Sequence, residues 1–113
     1  MSDDPLDPSA IAELKEATGD EFTAELVMTF LDEAPGMLDE LKSAAARTDA
    51  EGYRRAAHSI KSNAATFGAR EVEALARSIE LGDIPGKGTG PEIDALCEAF
   101  GRASSALRML IGE

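Results

Sequence analysis

Apolar residues recur along most of this chain at intervals of three and four, the period of helices buried on one side. Met1 to Asp7 is mostly polar, holds Pro5 and runs directly into Pro8, and predicts a loose lead-in. Pro8 and Ser9 then open a short helix through about Ala17, with Ile11 and Leu14 on one side and Thr18-Gly19 closing it. It is expected to lie across the main helices. Asp20 is a residue type that caps helix N-termini, and beyond it Phe22, Leu26, Phe30 and Glu33 share a face with Thr29. Val27 and Leu31 fall off that face, which predicts cover by the short first helix and some residual apolar surface for docking. Pro35-Gly36 interrupts the pattern, yet Met37, Leu38, Leu41 and Ala45 resume it through about Arg47. The stretch reads as one long bent helix or as two joined helices.

Thr48 and Asp49 are capping types, so the next helix is expected to begin there and to end at Gly68, a residue suited to a left-handed C-terminal position. On a helical wheel Tyr53, Ala56, Ala57, Ile60, Ala64 and Phe67 gather on one side as core. His58 falls about 140° away, with Arg54 one turn before it and Lys61, Ser62 and Ala65 on the turns after. Its imidazole is therefore expected to face water. Val72, Leu75, Ala76 and Ile79 mark a further helix, antiparallel to the His58 helix because the connection is short. Gly82 to Gly90 reads as a flexible connector. Lys87 lies between glycines there, but no strand precedes it and the Gly-Lys-Ser/Thr order of a phosphate loop is missing. Pro91 suits the first position of the last helix, Glu92 and Asp94 favour its positive end, and Ile93, Leu96, Cys97, Phe100, Ala103, Leu107, Leu110 and Ile111 supply a buried stripe.

At 113 residues the pattern amounts to one domain over 1–113, too small for a second nucleotide-binding unit. There is no Trp, and Ala and Leu dominate the apolar set, which favours closely packed helices. The net charge of −11 argues against nonspecific binding to nucleic acid or to an anionic membrane. Cys97 is the only cysteine, so no internal disulfide can form, and it reads as a small core residue in a chain suited to a reducing cytoplasm. The acidic Met1-Ser2-Asp3-Asp4 start is unlike a signal peptide, and no apolar run is long enough to span a bilayer.

Spacing alone gives accessibility to His58, and an exposed histidine beside a lysine is more often an ordinary solvated residue than a reactive one. The run His58-Ser59-Ile60-Lys61-Ser62-Asn63-Ala64-Ala65-Thr66-Phe67-Gly68 adds to that. It resembles the signature of the histidine-phosphotransfer (HPt) domain family: a His, an aliphatic two positions on, then Lys, a small residue, and a Gly ten positions after the His. Many members have Gly directly after the Lys, where this chain has Ser62, which is still small. The resemblance implies an all-α fold, an antiparallel up-down-up-down four-helix bundle, here with a short additional N-terminal helix. It implies a relay of phosphoryl groups between receiver-domain aspartates, with phosphohistidine formed at His58.

Free imidazole titrates near 6.5, so it is largely neutral and nucleophilic at pH 7. On this reading Lys61 places its ammonium against the phosphoryl oxygens. Arg54, Ser62, Ala65 and Gly68 belong to the docking surface, and Arg55 is more simply a solvated helix residue. Glu80, where the family often has Gln, is the residue to examine for holding the imidazole, although a carboxylate would repel a phosphate. The implied partners are receiver domains of response regulators and of a hybrid sensor histidine kinase. No metal or cofactor is expected in this chain, and Mg²⁺ is expected on the receiver. Met1 and a last helix running almost to Glu113 suggest a freestanding monomer.

Three other readings compete. The phosphoacceptor helix pair of a sensor kinase usually has an acidic residue right after the His and a Pro soon after, whereas here Ser59 follows and the next Pro is Pro85. A noncatalytic helical adaptor and a degenerate HPt domain that binds receivers without transfer both fit the periodicity, although the second is harder to square with retention of both His58 and Lys61.

Overall fold

The computed structural model describes residues 5–82 and 90–112, and these form five helices with no strand among them: α1 (Pro8–Thr18), α2 (Asp20–Ala46), α3 (Ala50–Thr66), α4 (Arg70–Leu81) and α5 (Pro91–Leu110). The expected Lys87 connector lies almost wholly in 83–89, outside the described residues, as does the start of the lead-in. α3 packs against α2 and α4, α5 against α4 and α2, and α1 against α2. None of these helices is long and apolar enough to cross a membrane.

The helix ends follow from a few side chains. Asp7 caps α1 by accepting from the Ser9 N–H at 2.9 Å, and Pro8 occupies the first helical position. Asp49 caps α3 by accepting from the Gly52 N–H at 3.0 Å. The N-cap of α2 is Gly19, not Asp20. Gly19 adopts φ +84°, the turn that ends α1 and begins α2 in one residue, and its carbonyl accepts from the Thr23 N–H and hydroxyl at 3.0 and 2.7 Å. Asp20 is thus already helical, with its charge at the positive end.

α2 runs without a break through Pro35, so the first of the two sequence alternatives holds as far as continuity goes. Its buried face is Thr23, Val27, Phe30, Ala34 and Leu41, not the face through Phe22. Phe22 is 51% exposed, whereas Val27 is fully buried. Val27 belongs to a cluster with Ile11, Phe30, Ala34, Phe67 and Leu107, so α1 does cover it, and Leu31 packs half-buried at the edge. Phe30 stacks on Phe67 with centroids 4.9 Å apart and meets Phe100 edge-on at 5.8 Å.

The larger cluster joins Leu41, Tyr53, Ala57, Ile60, Ala64, Val72, Ala76, Ile79, Leu96 and other buried residues of α2 to α5. Alanines at its centre let α3 and α4 approach closely. Tyr53 is buried here, and among the described residues its hydroxyl has no partner. On α5 the buried set is Ile93, Leu96, Ala99, Ala103, Ser104 and Leu107; Cys97 and Phe100 are half-buried and Leu110 is exposed, because the stripe drifts off the core in the last turn.

The end of the lead-in is not loose. The Asp7 N–H donates to the Gly68 carbonyl at 2.7 Å, and the Asp7 carboxylate accepts from Arg70 Nη2 at 3.0 Å and Nε at 3.2 Å. Leu6 packs against both clusters. Gly68 has φ +69°, as expected of a left-handed position, and a Cβ there would come within 2.8 Å of the Ala10 Cβ. The chain therefore turns from α3 to α4 within three residues, directly under the start of α1.

Candidate functional site

Burial of Ala57, Ile60 and Ala64 turns the opposite side of α3 outward, and there His58 has a side chain 59% exposed. On α4, Ile79 is fully buried against α3 and α5, which brings its neighbour Glu80 to the edge facing α3. The short Gly68 turn sets the two helices side by side so that Glu80 reaches residues of α3 one turn apart. Its Oε2 lies 2.8 Å from His58 Nδ1, and its Oε1 accepts from Lys61 Nζ at 2.6 Å. Glu80 and Lys61 are largely covered, with side chains 20% and 28% exposed.

The Lys61 hydrogen bond, ahead of every other influence, holds the Glu80 carboxyl below the usual carboxylate range; burial opposes it, and the His58 hydrogen bond adds to it. Glu80 is therefore ionised at neutral pH and can only accept. The ring nitrogen facing it must carry a proton, so in the neutral ring Nδ1–H donates and the lone pair sits on Nε2, on the far side from the carboxylate. The arrangement presents an exposed, oriented nucleophile with a cation one turn away.

The structure brings His58, Lys61 and Glu80 together as one group. Arg54, Arg55 and Ser62 are exposed on the same helix and Ala65 is half-buried. Gly68 is buried beneath Asp7 and Ala10, so it is a turn residue and not part of an exposed docking surface. Sequence reasoning missed the tie between Lys61 and Glu80. The signal was available in an isolated acid and base on adjacent helix edges, but only with the register of α3 against α4 in hand. That tie changes the electrostatics, because the carboxylate expected to repel a phosphoryl group has its charge matched by Lys61. The amide of Asn63 donates to the Ser59 carbonyl at 2.8 Å and approaches Met37 Sδ at 3.8 Å, continuing the polar strip toward α2. Among the described residues no group of three or more His, Cys, Asp or Glu side chains is arranged to hold a metal.

The sequence model of the family described as "Hpt domain" matches residues 25–108. The crystal structure of histidine-containing phosphotransfer protein B (HptB) from Pseudomonas aeruginosa PAO1 is similar over 97% of this chain and 93% of that one, with a TM-score of 0.75 and 28% sequence identity. No curated protein sequence matches the chain.

Proposed function

The chain belongs to the Hpt domain family, and on that premise we propose that it carries phosphoryl groups on His58 between the aspartates of two receiver domains in a multistep phosphorelay. The observation that carries this is the hydrogen bond from His58 Nδ1 to Glu80, which leaves Nε2 of an exposed ring free to attack.

The step runs as follows. Nε2 attacks the phosphorus of a receiver's aspartyl phosphate, the N–P bond forms, and the P–O bond to the aspartate breaks with its electron pair left on the carboxylate. The ring gains positive charge as the bond forms, and Glu80, paired to Nδ1–H, stabilises it. Lys61 uses one of its three ammonium protons on Glu80 and can turn the others toward the phosphoryl oxygens. Arg54 and Ser62 face the incoming receiver, whose acidic rim a cation at position 54 complements. The Mg²⁺ that such a transfer uses belongs to the receiver. The partners in this reading are receiver domains of response regulators and of a hybrid sensor kinase, and the protein acts as a cytoplasmic monomer. The pairing of each helix from α2 to α5 with two of the others, and the three-residue turn between α3 and α4, support an antiparallel up-down-up-down bundle as its frame.

Labelled phosphate offered from a panel of phosphorylated receiver domains tests this. Wild type should take up label that is acid-labile and alkali-stable, and His58→Gln should take up none. Receiver binding without label on either protein would replace this reading with that of a noncatalytic adaptor.

A further inference from the structure

Attack through Nε2 leaves the ring of His58 carrying both the phosphoryl group and the Nδ1 proton. Such an imidazolium ordinarily releases the proton to water, and the neutral phosphoimidazole that results is the slower of the two to give up phosphate. At this site Nδ1 faces Glu80 Oε2 at 2.8 Å. An ionised carboxylate has no proton to donate, so it pairs with a protonated Nδ1 and not with a bare one. Lys61, at 2.6 Å from the other oxygen, keeps the carboxylate in that form. The charged groups acting on Glu80 are Lys61 and His58, both from α3; among the described residues α5, the other helix packed on α4, contributes none.

We infer that Glu80 holds phosphorylated His58 in its imidazolium form, so that the protein passes phosphoryl groups on quickly and does not store them. This rests on His58 being the phosphoacceptor. On release, the N–P bond breaks and its electron pair returns to Nε2, while phosphorus bonds to a carboxylate oxygen of the accepting aspartate. In hydrolysis it bonds instead to a water oxygen, which loses its proton to solvent. The ring is left neutral with the proton still on Nδ1, the tautomer that pairs with an ionised Glu80. No ring proton moves in either direction of transfer. Glu80 is thus a positioning residue that acts through the proton it keeps in place. A side-chain amide at position 80 would behave differently, since it can turn its N–H toward a bare Nδ1 and stabilise the slow form.

The test uses wild type, Glu80→Gln and His58→Gln, each phosphorylated chemically with phosphoramidate and followed by loss of label and by the ¹⁵N shift of the phosphohistidine ring. Wild type should keep Nδ1 protonated and hold a near-constant lifetime from about pH 6 to about pH 8. Glu80→Gln should lose the Nδ1 proton within that range, its lifetime lengthening by up to about tenfold per pH unit above the point of loss. Equal lifetimes and equal ring shifts in wild type and Glu80→Gln would overturn the inference while leaving His58 as the acceptor. If wild type takes no label beyond that on His58→Gln, the acceptor reading itself fails and the inference with it.

Discussion

Lys61 donates to Glu80 instead of standing free beside His58, and that decides what its loss should do. Lys61→Met removes the main stabiliser of the ionised carboxylate and, on the proposed function, a cation for the phosphoryl oxygens, so transfer measured by rapid quench should slow by about tenfold or more. The lowered pKa of Glu80 also has a consequence for stability. A carboxyl depressed in the folded state contributes stability that is present above its unfolded pKa, about 4.3, and lost as pH falls through the folded value. The urea midpoint of wild type should therefore exceed that of Glu80→Gln near neutral pH, with the difference vanishing under acid. Tyr53 makes the opposite case. Its hydroxyl is buried and has no partner among the described residues, and burial, with the nearby Glu92 charge, pushes its pKa up. Tyr53→Phe should be neutral or stabilising by about 1 kcal/mol in the same titration. The position of His58 on the outward face was legible in the sequence because it needs only the helical period. Lys61 was legible as a neighbour and not as a bonded partner, since that depends on how α4 sits against α3.

At the scale of elements, the turn between α3 and α4 carries more than its own residues. Gly68→Ala would put a Cβ at φ +69° against Ala10 and Asp7, and should cost about 1–2 kcal/mol or more by thermal or chemical unfolding while leaving the label on His58 intact. Gly68 was readable as a left-handed residue from its place after a helix. Its burial under α1 was not, because the contact depends on Asp7 and Arg70, 63 residues apart in the chain. The same limit explains Phe22 and Val27. Both lie on plausible stripes of α2, and the choice between them falls to α1 and Phe67, which cover Val27 and leave Phe22 in water. Asp20 was misplaced for a local reason: Gly19 ends one helix and starts the next, leaving no separate capping position. Pro35 interrupts the hydrogen bonding of α2 without ending it. Pro35→Ala should raise the urea midpoint, by about 1–3 kcal/mol in free energy. A fall instead would mean that the helix needs the irregularity to seat Val27 and Leu41 in their two core clusters.

For the whole molecule, the net charge of −11 is unevenly spread. α2 carries Asp32, Glu33, Asp39 and Glu40 near its middle, whereas α3 carries Arg54, Arg55 and Lys61 against Glu51 alone. Among the described residues Arg54 and Arg55 make no ion pair. On the proposed function, Arg54→Glu should therefore slow capture of phosphoryl groups from a receiver by up to about tenfold at low salt, with the deficit shrinking as salt is added, since an exposed cation attracts an acidic partner over long range. The sequence carried this asymmetry openly, as it carried the all-helical class, because neither depends on tertiary register. Tyr53 gives the molecule one more property. With no Trp in the chain and a single Tyr, tyrosine emission arises from one ring, sealed in the core at the first turns of α3. On the proposed function, a receiver that brings a tryptophan close to α3 as it docks would quench that emission by energy transfer, so association could be timed optically on the unlabelled wild-type protein.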